Sequence, residues 1–114
     1  MTSTEKADFI AEAADDMKAE RIEIIDVREK TSIADFLVIC GGTSDRHVSA
    51  IAERVGEKMT ATKNKPIRED GEGTGWMLQD YGDVLLHVMQ EEQRQYFDLE
   101  TFWKNMRPNP DLVV

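Results

Sequence analysis

An uninterrupted apolar run at residues 36–40, followed at once by Gly41 and Gly42, constrains the fold of this chain more than any other sequence feature. Five consecutive apolar residues leave no polar side for water, so they predict a strand that is buried on both faces. The glycines end that strand, and Ser44 is a favourable N-cap for a following helix. Apolar residues then recur at helical spacing, namely Val48, Ile51, Ala52, Val55 and Met59.

Shorter elements are predicted around this unit. Thr2 and Glu5 have the spacing of a capping box and begin a helix predicted at residues 4–20. The other predicted elements are a strand at 22–27, a short strand at 66–69, strands at 76–81 and 84–89, and a short helix at 91–97. Strand–helix–strand stretches beside a hairpin favour an α/β fold, with a mixed β-sheet and helices mainly on one face.

Size and charge limit the domain organisation and the partners. The 114 residues fit one domain, which we assign to residues 1–106, and residues 107–114 are predicted to form a flexible C-terminal tail. Lys and Arg number 14 against 23 Asp and Glu, so the net charge is −9 and no direct nucleic-acid binding is expected. No apolar run approaches the ~20 residues of a membrane helix, and one Cys cannot form an internal disulfide. We therefore expect a cytoplasmic protein without membrane contact.

The hairpin predicts which side chains share a face of the sheet. If Gly82 and Asp83 form a two-residue turn, side-chain alternation separates two sets. One set has the composition of a core: Met77, Gln79, Tyr81, Val84, Leu86 and Val88. The other mixes large apolar and polar residues: Trp76, Leu78, Asp80, Leu85, His87 and Met89. The second face is either an exposed partner site or a face covered by Tyr96, Phe97 and Trp103, and composition leaves both readings open.

Catalytic residues are not predicted. The turn at residues 41–44 resembles the phosphate-binding turn of nucleotidyltransferases, but residues 66–70 lack the Asp-x-Asp or Asp-x-Glu pair that would bind a metal there. Asp45 and Glu53 are eight residues apart on one helix and cannot share an ion. A helix-starting turn is the simpler interpretation, and we expect a protein that is not an enzyme.

Metal and cofactor sites are not predicted either. Cys40 with His47 and His87 falls short of the four ligands of a structural zinc site. We interpret Cys40 as a small buried apolar residue, His47 as a helix-surface residue and His87 as either a structural or a partner contact. The glycine-rich segment at 71–75 leads into a strand rather than a helix, which excludes a dinucleotide-binding turn.

Several segments together resemble the ribosomal silencing factor family, also called the Iojap-related family. They are residues 22–26, 32–36, 42–47, 76–84 and 96–100, with Cys40, His87 and Trp103. The match runs from about residue 5 to 104 in the order of the family's motifs. The resemblance implies an α/β fold that is nucleotidyltransferase-like but without catalytic acids.

The resemblance also implies a function and a site. Members bind large ribosomal subunit protein 14, block joining of the small subunit and lower translation under nutrient limitation. The family's Trp-x-Leu-x-Asp strand maps onto Trp76, Leu78, Asp80 and Tyr81, and less directly onto His87 and Met89. It further implies a homodimer when free of the ribosome. The net negative charge suits a basic partner, because opposite fields speed encounter.

Three other functions stay open at this point. An assembly factor for the large subunit would use the same contact on an immature particle. A nucleotidyltransferase would need acids that the sequence pattern does not reveal. A dimerisation module would use the mixed hairpin face to meet its own copy.

Overall fold

The computed structural model describes residues 1–112, which form four helices and five strands. Their bounds are Ser3–Asp16 (α1), Glu20–Asp26 (β1), Phe36–Gly42 (β2), Asp45–Ala61 (α2), Arg68–Asp70 (β3), Trp76–Asp80 (β4), Val84–Gln90 (β5), Glu91–Phe97 (α3) and Leu99–Asn105 (α4). The strands form one sheet in the order β1-β2-β5-β4-β3. β2 and β5 are parallel and the other pairs are antiparallel, which confirms the predicted mixed sheet.

The apolar strand β2 lies inside the sheet, and all seven of its residues are buried. The long helices α1 and α2 pack on one face, where the larger core cluster includes Ile10, Val38, Ile51 and Leu86. On the opposite face a smaller cluster surrounds Leu37 and Ile39, with Leu99 and Trp103 of α4 packed against it. The two long helices therefore lie on one face, as predicted, and two seven-residue helices lie across part of the other.

Two helix boundaries differ from the sequence expectation. The helix predicted at residues 4–20 ends at Asp16, because Lys18 adopts a left-handed backbone (φ 59°) and donates its N–H to the Asp15 carbonyl. α4 was not predicted as a helix, and none of its seven residues is buried. A left-handed Asp98 (φ 45°) separates α3 from α4 and directs the chain into the second helix.

The C-terminal tail was predicted to be flexible, unlike the domain that precedes it. The predicted flexible tail at 107–114 extends past the described residues, since 113 and 114 lie outside them. Within the described part, the Asn109 N–H donates to the Glu29 carbonyl at 2.7 Å. No helix in residues 1–112 has the length and apolar character needed to cross a membrane.

The predicted N-cap of α2 offers a direct test of the central strand–turn–helix unit. The Ser44 hydroxyl accepts the His47 N–H at 3.0 Å. Ser44→Ala is expected to lower the free energy of unfolding by about 1 kcal/mol, because a helix N–H loses its acceptor. Urea denaturation of the purified protein measures this, with the neighbouring Thr43→Ala as the control that leaves this cap in place. Equal losses in the two variants would contradict the capping role.

Candidate functional site

The register of the β4–β5 hairpin is the one that the sequence predicted. Trp76 lies opposite Met89, and Leu78 lies opposite His87. Gly82 has a φ of +90°, and the Tyr81 N–H donates to the Val84 carbonyl at 2.9 Å, as a two-residue turn requires. The two predicted side-chain sets therefore lie on opposite faces, and the set with core composition faces α1 and α2.

The outward face carries a row of aromatic rings centred on Trp76. The Trp76 Nε1–H donates to Nδ1 of His87 at 3.1 Å. Phe97, at the end of α3, packs on the indole with ring centroids 4.8 Å apart, and Tyr96 meets Phe97 edge-on at 5.0 Å. Tyr96 and Phe97 are 83% and 48% exposed, so the row leads from the partly buried strand to the open surface.

The outward face is covered over one part and partly exposed over another, so each of the two predicted arrangements applies to a part of it. Trp103 and Leu99 cover the part formed by β1, β2 and Leu85, whereas Trp76 and Leu78 stay partly exposed. Of the three aromatic residues expected as a possible cover, Trp103 packs on the sheet and Phe97 packs on Trp76, but Tyr96 points away from both clusters into solvent. An apolar surface therefore remains on the part of this face formed by β4 and α3.

The polar members of the face have internal partners. Burial lowers the pKa of the His87 imidazole to about 4. Because Nδ1 accepts the indole N–H, the neutral ring carries its hydrogen on Nε2. Asp80 is half-buried, and its Oδ1 accepts the Gly82 N–H at 2.8 Å, so this carboxylate also stabilises the hairpin turn.

The lowered His87 pKa predicts a specific loss of stability in acid. Between pH 6.5 and 4 the imidazole of residue 87 is protonated in the unfolded chain but stays neutral in the folded protein. The free energy of unfolding therefore falls as the pH falls through this range. From pH 7 to pH 5 we expect the free energy of unfolding of the parent to fall by about 2 kcal/mol more than that of His87→Asn, which corresponds to ~8 °C or more in Tm. Melting curves across this range check it, since the carboxylates titrate alike in both proteins. An equal fall in Tm for the parent and for His87→Asn would show that His87 does not cause the loss of stability in acid.

Two residues that the resemblance assigned to the partner site are not at the surface, so their proposed role there is wrong for this structure. Tyr81 lies on the helix side of the sheet, where its hydroxyl donates to the buried Gln79 Oε1 at 2.7 Å. Met89 is fully buried, because β5 lies inside the sheet and α3 begins directly after its last residue. Trp76, Leu78, Asp80 and His87 remain together on the outward face.

Cys40 and His47, which could in principle react or bind metal, are held by burial or by hydrogen bonds within the fold. Burial raises the pKa of the Cys40 thiol to about 12, so the thiolate that reacts or binds metal is suppressed. His47 is not simply a surface residue, since its Nδ1 accepts the Thr43 N–H and its Nε2 contacts the Met17 carbonyl at 2.8 Å. Within residues 1–112, no three His, Cys, Asp or Glu side chains are grouped to hold a metal ion.

Comparison with known proteins identifies the family. A family model described as "RsfS: Ribosomal silencing factor during starvation" matches residues 1–113. The chain belongs to this ribosomal silencing factor family. The protein named ribosomal silencing factor RsfS in Haemophilus influenzae is 36% identical over 97 residues, which cover 84% of this chain and 95% of that protein. A mitochondrial Iojap-related protein of Arabidopsis thaliana is 33% identical over 93 residues, 77% of this chain and 50% of that protein.

A solved structure supports the same assignment. The crystal structure of a Chromobacterium violaceum protein superimposes with a TM-score of 0.89 at 31% identity, covering 96% of this chain and 92% of that one. The α/β fold described above is therefore the fold of a ribosomal silencing factor family member. Phe97 was expected only as a possible cover of the outward face, and the sequence did not assign it a contact with Trp76.

Proposed function

We propose that the protein is a cytoplasmic ribosomal silencing factor that binds the large ribosomal subunit through its protein 14 and blocks joining of the small subunit. The observation that carries the proposal is the partly exposed face around Trp76 and Leu78 in a chain of this family. Repression of translation under nutrient limitation then follows from occupancy alone, because a subunit that carries this protein cannot join its partner.

The chemistry of the face suits a protein partner. Aromatic residues with apolar neighbours are enriched where binding energy concentrates, and an indole presents a large rigid surface. Trp76 and Leu78 would enter an apolar depression of the partner, and Asp80 at the same edge would meet a Lys or Arg. The net charge of −9 favours encounter with a basic ribosomal protein and disfavours direct contact with RNA.

Co-sedimentation with isolated subunits tests the proposal. The purified protein is expected to pellet with the large subunit and not with the small one. Preincubation of the large subunit should then prevent formation of joined ribosomes, which sucrose gradients detect. Binding to neither subunit, or unchanged joining at full occupancy, would reject the steric mechanism.

Cells that lack the protein distinguish silencing from assembly. Silencing predicts excess translation in starved cells with normal subunit profiles. Precursors of the large subunit that accumulate in growing cells would instead support the assembly function. Sucrose gradients report the subunit profiles, and incorporation of a labelled amino acid reports the rate of translation.

We also propose that the protein forms a homodimer when it is not bound to the ribosome, and the outward face could form the dimer contact. If a second copy covers Trp76, dimer formation and subunit binding must compete. The apparent affinity for the large subunit, counted per chain, should then weaken at protein concentrations where the dimer forms, and a crosslinked dimer should not bind. A crosslinked dimer that binds as well as the monomer would reject the shared face.

A further inference from the structure

The Trp76 indole is held by two rings from different elements. His87 of β5 accepts its N–H at 3.1 Å, with ring centroids 5.9 Å apart. Phe97 of α3 packs on it at 4.8 Å with the ring planes inclined by 48°. A hydrogen bond from one neighbour and ring packing from the other leave a half-buried side chain with one favoured orientation.

His87 is better placed to act on Trp76 than to meet a partner directly. Its Nδ1 is already occupied by the indole, and the ring is partly buried between strands beside Leu78. Phe97 packs on the indole from α3, and α3 in turn is fixed to the sheet by the buried side chain of Arg94. The orientation of Trp76 is therefore set by parts of the fold that are themselves well anchored.

We propose that His87 and Phe97 are positioning residues, which hold the Trp76 indole in the orientation that the ribosomal partner binds. This inference rests on the proposed function and adds how its central contact is prepared. A side chain that is already fixed loses less rotational freedom on binding. Release of the indole is expected to weaken large-subunit binding roughly 3- to 10-fold, which is less than the loss of the indole itself.

Two substitutions at His87 separate positioning from a general structural role. Asn offers an oxygen near the place of Nδ1 and can still accept the indole N–H, whereas Leu keeps apolar volume and cannot accept. Positioning predicts that His87→Asn binds the large subunit nearly as well as the parent and that His87→Leu binds 3- to 10-fold more weakly. His87→Leu should be at least as stable as His87→Asn, because Leu suits a partly buried site better than Asn does.

Exposed aromatic residues on the same pair of helices give a matched test for Phe97. Phe97→Ala removes the ring that packs on the indole, and we expect a loss similar to that of His87→Leu. Phe102→Ala removes a ring that is 58% exposed and packs on Trp103 instead, so its binding should equal that of the parent. A common loss in both variants would indicate general damage to the helices rather than release of Trp76.

Fluorescence reports on the indole without the ribosome. In a Trp103→Phe background, Trp76 is the only Trp, because the sequence contains two. Anisotropy decay should gain a fast component in His87→Leu and in Phe97→Ala, and should keep the parent's decay in His87→Asn and Phe102→Ala. An unchanged decay in the first two variants would show that these rings do not hold the indole.

The combined outcomes separate this inference from the function on which it rests. If Trp76→Ala loses binding while His87→Leu and Phe97→Ala bind as the parent does, the positioning roles are rejected and the proposed contact stands. If Trp76→Ala itself binds normally, the proposed contact is rejected and the positioning roles with it. Equal binding by His87→Asn and His87→Leu would also reject positioning by the hydrogen bond.

Discussion

Trp76→Ala is expected to weaken binding to the large ribosomal subunit by about 30-fold or more while the domain stays folded at 25 °C. Truncation of a central aromatic anchor commonly costs about 2 kcal/mol or more, and 2 kcal/mol corresponds to that factor. The fold should survive because Trp76 is only partly buried and belongs to neither core cluster. Co-sedimentation titrations and a melting curve of the same sample measure the two effects together.

Stability and contact must be separated for this prediction to be decisive. Met77, the next residue along β4, points to the opposite face and is 7% exposed within the core under α2. Met77→Ala should therefore lower the Tm at least as much as Trp76→Ala does, and still bind the subunit wherever it is folded. Loss of binding in both variants in proportion to their Tm would show that Trp76 acts through stability, and the interface would then lie elsewhere.

The parts of the fold that sequence predicted are those decided by near neighbours in the chain. The alternation of side chains in β4 and β5 follows from the turn between them, so their register and faces came out correctly. The Ser44 cap and the buried strand β2 likewise depend on contiguous residues. For Tyr81 the alternation placed the side chain in the core, and the structure agrees with it against the role that the family resemblance implied.

The candidate site was only half predictable, for a physical reason. The strand residues Trp76 and Leu78 could be placed, but the packing of Phe97 on the indole depends on the direction in which α3 leaves β5. The Trp76–His87 hydrogen bond joins diagonal positions on paired strands, where pairing alone predicted only Leu78 opposite His87. α4 was missed because its packing on β1 and β2, through Leu99 and Trp103, has no local signal.

Arg94 is the clearest case of a role that no local pattern reveals. Arginine is rarely buried, yet this side chain is 1% exposed. Its Nη1 and Nη2 donate to the carbonyls of Glu20 and Arg21, more than seventy residues earlier, and its Nε donates to Glu100 at 2.7 Å. These carbonyls lie where the pairing of β1 with β2 shifts register, so the buried guanidinium of Arg94 supplies hydrogen-bond donors to the backbone at this irregularity.

Arg94→Met is expected to lower the free energy of unfolding by about 3 kcal/mol, because it leaves the nearly buried Glu100 carboxylate and two carbonyls without their donors. For a domain of this size that corresponds to a Tm lower by ~12 °C or more. Arg94→Lys should recover only part of the loss, since an ammonium lacks the guanidinium fork that reaches three acceptors in different directions. Urea denaturation measures both variants.

Arg21→Met is the matched control for Arg94→Met, because it breaks an exposed ion pair with Glu91 and should cost less than about 1 kcal/mol. The double variant Arg94→Met/Glu100→Gln should lose less free energy of unfolding than the sum of the losses in the two single variants. The reason is that the Glu100 carboxylate is already unpaired in Arg94→Met. Additive losses would show that the two side chains act independently. Because Arg94 holds the helix that carries Phe97, we also expect Arg94→Met to bind the large subunit more weakly than Arg21→Met at temperatures where both are folded.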